Sequence, residues 1–166
     1  DSAKVELASA EISAADVLLL QGEVGVNAAR TAALVAAAAG TKVVFNPAPF
    51  NEVVPAVLPL ADVVIVNRHE AEQLGDVQLP VVITTLGAQG CEVKVGSDVT
   101  MVDAPAVEVA DPTGAGDAFV GAFAVAYVDT EDAVAAALIA VRAGAAAVSS
   151  VGAQPSMPTW EQIDSV

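Results

Sequence analysis

Between Val109 and Phe119 the chain reads Val-Ala-Asp-Pro-Thr-Gly-Ala-Gly-Asp-Ala-Phe. Gly114 and Gly116 let the backbone turn tightly and let a ligand approach main-chain atoms closely. An apolar stretch of helical length follows, so this segment opens a helix. The first N–H groups of a helix have no partner within it, and the helix dipole favours negative charge at that end. The pattern is that of an anion cradle. Asp117 stands in its first turn. A carboxylate beside a bound anion costs energy, and a general base next to a transferring phosphoryl group would be a reason for one. A first-turn acid that only complements the dipole is the other reading, and residue chemistry leaves both open.

Net charge gives the cradle its importance. Six Lys and Arg stand against 21 Asp and Glu, a formal net charge of −15. Such a field repels anions, so phosphate binding has to rest on local dipoles or a metal ion. Six scattered basic residues make no basic stripe, which excludes nucleic acid as a partner and disfavours an anionic membrane surface. The Gly-x-x-x-x-Gly-Lys-Ser/Thr loop is absent. Gly22-Glu23-Val24-Gly25 lacks the third glycine of a dinucleotide fingerprint. One histidine, His69, makes no zinc site and reads as a surface residue at a helix start. One cysteine, Cys91, allows no intrachain disulfide and reads as a buried structural thiol. No basic-then-apolar leader opens the sequence, and no uncharged apolar run reaches about 18 residues. A soluble cytoplasmic protein is expected.

The elements that position the cradle follow from texture. Ala and Val make up 66 of the 166 residues, and only 4% are aromatic, so the core gains contact by close approach of backbones. The length fits a single domain over residues 1–166. Short apolar runs at Asp16–Leu20, Lys42–Phe45, Asp62–Val66 and Pro80–Thr84 read as buried strands. Asn27–Ala39 reads as a helix stopped by Gly40, and His69–Leu74 as a short one. Asn46-Pro47-Ala48-Pro49 is a turn. Five residues between Leu74 and Pro80 leave no room for another helix. Cys91–Val95 and Val99–Val102 flank a hairpin turn at Gly96-Ser97-Asp98, and Val107–Val109 reads as one more strand. Two long helices close the core, Ala115–Val128 and Glu131 to about Ser149, with Thr130 as N-cap of the second. Thr159-x-x-Gln162 has the spacing of a capping box. The expected class is α/β: a mostly parallel sheet with helices on both faces, three layers in all, plus a β-hairpin region toward the C-terminus.

Asp111-Pro112-Thr113-Gly114-Ala115-Gly116-Asp117-Ala118-Phe119 resembles the C-terminal signature of the ribokinase-like, or PfkB-type, carbohydrate kinases, with Pro112 where Thr is frequent. Four more segments match in order: Asn46-Pro47-Ala48-Pro49, Asn67-Arg68-His69-Glu70, Thr85-Leu86-Gly87-Ala88-Gln89-Gly90, and Gly152 to Pro158, the last being most like the ribokinase branch. The resemblance implies an ATP-dependent transferase acting on a sugar hydroxyl, with ribose favoured. It implies Asp117 as base and the N–H groups of Gly114, Ala115 and Gly116 as the stabilisers of phosphoryl charge. It places Asn67, Thr85 and Gly87 near the nucleotide and Glu70 on Mg²⁺ through water. It further implies a monovalent cation, usually K⁺, held by Asp111 and Ser156 side chains and by the carbonyls of Thr113, Ala147, Ser150 and Gly152. Arg142, on the last long helix, is a candidate to face the adenine. Blander roles stand beside these: Asn67 as a turn residue, Glu70 as a solvated helix acid, Gly87 and Gly90 as hairpin glycines, Asp111 as an Asx-turn residue, Arg142 as a solvated helix residue.

Members of that family carry a longer N-terminal part with sugar contacts and a small β lid. The expectation is therefore a catalytic, nucleotide-binding half without its sugar-binding part. Two alternatives remain: a fragment that binds ATP or ADP without turnover, and a noncatalytic remnant that forms homo-oligomers through a bare sheet edge.

Overall fold

The computed structural model describes residues 1–166, which fall into two compact units. The first comprises Asp1–Thr84 with Val95–Ser97, the second Thr85–Lys94 with Asp98–Val166. The class is α/β with a mostly parallel sheet, as the strand-helix alternation requires. No helix is long and apolar enough to cross a membrane.

The first unit runs α1 (Ser2–Leu7), α2 (Ser9–Ala14), β1 (Val17–Gln21), α3 (Val26–Ala39), β2 (Lys42–Asn46), α4 (Val54–Val57), β3 (Val63–Asn67), α5 (Arg68–Leu74) and β4 (Val81–Thr85), whose last residue opens the second unit. β1 lies parallel to β2, with Val17 opposite Lys42 and Gln21 opposite Asn46; β2 lies parallel to β3. Ala29, Ala32, Ala33 and Ala36 recur at the spacing of one helix face and bury that face of α3 in a cluster with Leu20, Val43, Phe45, Val64 and Val66. Gly40 ends α3 in the left-handed conformation, φ 82°. The Asn46–Asn51 loop is pressed on the end of β1. Gly22 N–H donates to Ala48 O at 3.0 Å, and Asn51 Nδ2 donates to Gly22 O at 2.7 Å. A Cβ on Gly22 would strike the Pro49 carbonyl, so only glycine fits there. No helix occupies residues 75–80, in keeping with the five-residue link.

The second unit holds β5 (Cys91–Val95, to Lys94 within the unit), β6 (Asp98–Val102), α6 (Ala115–Thr130), α7 (Ala133–Val148) and α8 (Trp160–Asp164). α6 packs on α7 through small residues. A Cβ on Gly144 would lie 3.5 Å from the Ala115 carbonyl oxygen, an ordinary contact, so α7 passes close to the first residue of α6 without requiring glycine there. Phe123 and Tyr127 stack one turn apart on α6 with ring centroids 5.4 Å apart. Thr159 and Gln162 form the expected capping box of α8.

Three local expectations change. Val107–Val109 forms no strand: residues 103–109 are irregular, Pro105 removes a ladder donor, and Val109 is exposed. α7 begins at Ala133, and its N-cap is Asp132 rather than Thr130. Asp132 Oδ1 accepts from Val134 N–H at 2.8 Å and Ala135 N–H at 3.1 Å. Thr130 instead ends α6, its hydroxyl donating to Ala126 O at 2.7 Å. Arg142 is not a solvated helix residue; its guanidinium donates to the carbonyls of Asp164 at 2.7 Å and Val166 at 3.2 Å.

Candidate active site

α6 begins where Gly114 turns left-handed, φ 82°. Residues with a Cβ rarely adopt that conformation. Space demands glycine there too: a Cβ would sit 2.9 Å from Met157 Cε and 3.2 Å from both Cα and O of Ala153. Ahead of the turn, Asp111 clasps two segments. Its Oδ1 accepts from Thr113 N–H and its Oδ2 from Gly152 N–H, each at 2.9 Å. The hydroxyl and N–H of Thr113, then the N–H of Gly152, hold the Asp111 carboxyl below the usual carboxylate value of 3.8. Ala110 and Asp111 N–H both donate to Val148 O at the end of α7, at 2.8 and 3.1 Å. The loop before α6 is thus stitched to the segment that follows α7. Asp111 is an Asx-turn residue in geometry, and that role coexists with the one the resemblance implies.

Of the three N–H groups expected to serve as anion donors, Ala115 N–H donates to Pro112 O at 3.3 Å, a long turn bond. Gly116 differs from Gly114. Its φ is not positive, and a Cβ there would meet nothing within 4 Å. The fold itself places no demand for glycine at 116. Asp117 lies exposed in the first turn of α6.

The residues implied for a monovalent cation gather around the same stitches. Gly152 is left-handed, φ 99°, and donates to Asp111. Ser156 is buried, its hydroxyl donating to Ala153 O at 2.8 Å. The Ala147 carbonyl accepts from Ser150 N–H at 3.3 Å, closing the end of α7. Thr113 lies on the Asp111 clasp.

Thr85 ends β4, and Leu86–Gly90 makes a tight turn into β5, with Leu86 N–H donating to Gly90 O at 2.8 Å and Gly90 N–H to Gly87 O at 2.9 Å. Gly87 has φ 61° with free space around it. Gly90 has φ 90°, and a Cβ there would strike the Val102 carbonyl, so its glycine is a packing requirement. Leu86, Ala88, Gln89, Met101, Asp103 and Ala104 line an open cavity of about 410 Å³. Sequence reasoning did not single out Met101, Asp103 or Ala104. The one signal available was the hairpin, which returns β6 beside the Thr85–Gly90 turn.

Asn67 and Glu70 lie in the first unit, at the start of α5. Asn67 Oδ1 accepts from Glu70 N–H, and Glu70 Oε2 accepts from Asn67 N–H, both at 2.9 Å. This is a reciprocal capping box. Glu70 is buried, 8% exposed, which rules out the solvated-acid role. Cys91 is buried, and desolvation pushes its thiol up to about 11, in keeping with a structural role.

Residues 2–160 match the model of the pfkB family carbohydrate kinases. The chain is 31% identical to the ribokinase of Haemophilus influenzae, over 95% of this chain and 58% of that protein. It is 31% identical to the ribokinase of Bacillus subtilis, over 93% of this chain and 56% of the relative. In structure it is similar to the ribokinase of Thermotoga maritima, with TM-score 0.87 and 27% identity over 97% of this chain and 60% of that one. The chain therefore spans rather more than half the length of these relatives.

Proposed function

The chain belongs to the pfkB family of carbohydrate kinases, and on that premise we propose that it is the nucleotide-binding and catalytic half of an ATP-dependent sugar kinase. A ribose-like sugar is the favoured acceptor, on the similarity to ribokinases. The observation that carries the reading is the start of α6. Its turn is held by a clasped Asp111, and its second residue is a glycine that the fold does not require. A ligand that comes within bonding distance of the backbone at Gly116 is a reason for that glycine.

In this reading Asp117 accepts the proton of the sugar hydroxyl as its oxygen attacks the γ-phosphorus. The new O–P bond forms as the bond from the γ-phosphorus to the bridging oxygen breaks, and ADP leaves. The N–H groups at Gly114 to Gly116 stabilise charge on the transferring oxygens, a preorganised electrostatic effect. Asn67, Thr85 and Gly87 serve the nucleotide side. Glu70 fits a Mg²⁺ role through water better than direct ligation, because its Oε2 already accepts the Asn67 N–H. Mg²⁺ would supply neutralisation of phosphate charge. The oxygens of Asp111, Thr113, Ala147, Ser150, Gly152 and Ser156 have the chemistry of a monovalent-cation site, and K⁺ held there would stiffen the Asp111 clasp. The domain boundary proposed is the whole of residues 1–166, and the compartment proposed is the cytoplasm.

The test is ADP release with ATP, Mg²⁺ and a panel of sugars, with and without K⁺, alongside ATP binding by calorimetry. Turnover with a pentose, enhanced by K⁺, is expected. Asp117→Asn is expected to lose about 10²–10⁴-fold in kcat while keeping nucleotide affinity. ATP binding without turnover on any sugar would overturn the kinase reading for this chain and leave a nucleotide-binding fragment.

A further inference from the structure

The packing at Gly114 involves the side chain of Met157. Met157 Cε sits where a Cβ of Gly114 would come within 2.9 Å, and Ala153 closes the same space at 3.2 Å. Met157 is nevertheless 38% exposed. It follows the short 3₁₀ turn Gln154–Ser156, and its N–H donates to Gln154 O at 3.3 Å. The turn that starts α6 therefore rests on the methyl end of a residue that is in part open to solvent.

We propose that Met157 is an oxidation-sensitive positioning residue: its methyl group seats the Gly114 turn, and its conversion to the sulfoxide by a peroxide loosens that turn. The chemistry balances. The thioether sulfur attacks one peroxide oxygen, the O–O bond breaks, a sulfur–oxygen bond forms, and the other oxygen leaves as water after taking a proton. Sulfur is oxidised by two electrons and the peroxide reduced by two. The product is polar and larger at sulfur. The methyl end of Met157 already fills the space beside Gly114, so the added oxygen cannot be taken up without a shift of that packing. Competing targets are few. The sequence holds two methionines and one cysteine. Cys91 is fully buried and held as the thiol at neutral pH, which leaves it inert toward peroxide. Met101 is 52% exposed, so it reports the strength of the peroxide treatment, and because it lines the open cavity its own effect on ATP binding is removed in Met101→Leu. The loosening stands on packing alone; its effect on nucleotide binding rests on the phosphotransferase reading.

The purified chain, Met157→Leu and Met101→Leu are treated with hydrogen peroxide, and the oxidised residues are identified by peptide mass. Amide hydrogen exchange over residues 111–119 and ATP affinity are then read. Wild type and Met101→Leu are expected to show several-fold faster exchange in that segment, with several-fold weaker ATP binding, once residue 157 is oxidised. Met157→Leu is expected to show no change in exchange over residues 111–119. Equal exchange before and after oxidation of Met157 overturns the proposal. So does an equal rise in exchange over residues 111–119 in peroxide-treated Met157→Leu, or resistance of Met157 under conditions that oxidise Met101. If the untreated protein binds no ATP, the phosphotransferase reading fails, and the exchange data still decide the role of Met157.

Discussion

Gly116 and Gly114 are two residues apart and answer to different demands. Gly114 is dictated by the fold, through its left-handed backbone and the atoms of Ala153 and Met157. Gly116 is not, since open space surrounds its missing Cβ. Gly116→Ala is therefore expected to stabilise the helix by up to about 1 kcal/mol while weakening ATP binding. Thermal unfolding and calorimetry on the one variant check both halves, and unchanged ATP affinity would detach Gly116 from the ligand. Asp111 yields a pH prediction. Its folded carboxyl lies below the ordinary 3.8, so its clasp stabilises the folded state above that value and the contribution is lost as pH falls through the lowered one. The stability gap between wild type and Asp111→Asn should be present at neutral pH and close below 3.8 in acid titrations of unfolding. Gly116 was legible from the residues around it, and Asp111 from the family resemblance and as an Asx-turn residue before Pro112. The double clasp was not, because Gly152 is 41 residues away and no local pattern announces its N–H.

At the scale of elements, most strands and helices lie within a residue or two of where texture places them. Buried parallel strands are continuous apolar runs, and glycine or proline breaks bound them. The errors have separate local causes. Thr130, Glu131 and Asp132 are three polar residues in a row, and Thr and Asp cap equally well by residue type. Glu131 takes φ 53°, which ends α6 late and hands the cap to Asp132. Asp132→Ala is expected to cost about 1 kcal/mol, a fall in Tm of about 2–4 °C, whereas Thr130→Ala should cost less. Thermal scans of the pair decide it. Val107–Val109 misled because β-branched residues suggest a strand even where no neighbouring strand is available to pair. α4 was left unassigned; it is a single turn of four residues with Pro55 in its first turn, where proline is well tolerated.

For the whole molecule, the −15 charge acts on every anionic ligand before any contact forms. Adding an inert salt to about 0.1 M shortens the screening length to about 10 Å and should raise the association rate of ATP, the reverse of the usual behaviour of phosphate-binding proteins. Stopped-flow binding in choline chloride, which keeps K⁺ out, reads this directly. A rate that falls with salt would mean that local positive potential at α6 outweighs the net charge.

The alanine faces of α3 and α7 carry a consequence for motion. Ala29, Ala33, Ala36, Ala136, Ala137, Ala140 and Ala143 are completely buried. Alanine has no side-chain torsion to freeze on folding, and none to change afterwards. A leucine core absorbs a shape change by switching rotamers; these faces have no such reserve. Any rearrangement of these elements has to carry each helix as a stiff rod, with the give confined to the loops at its ends.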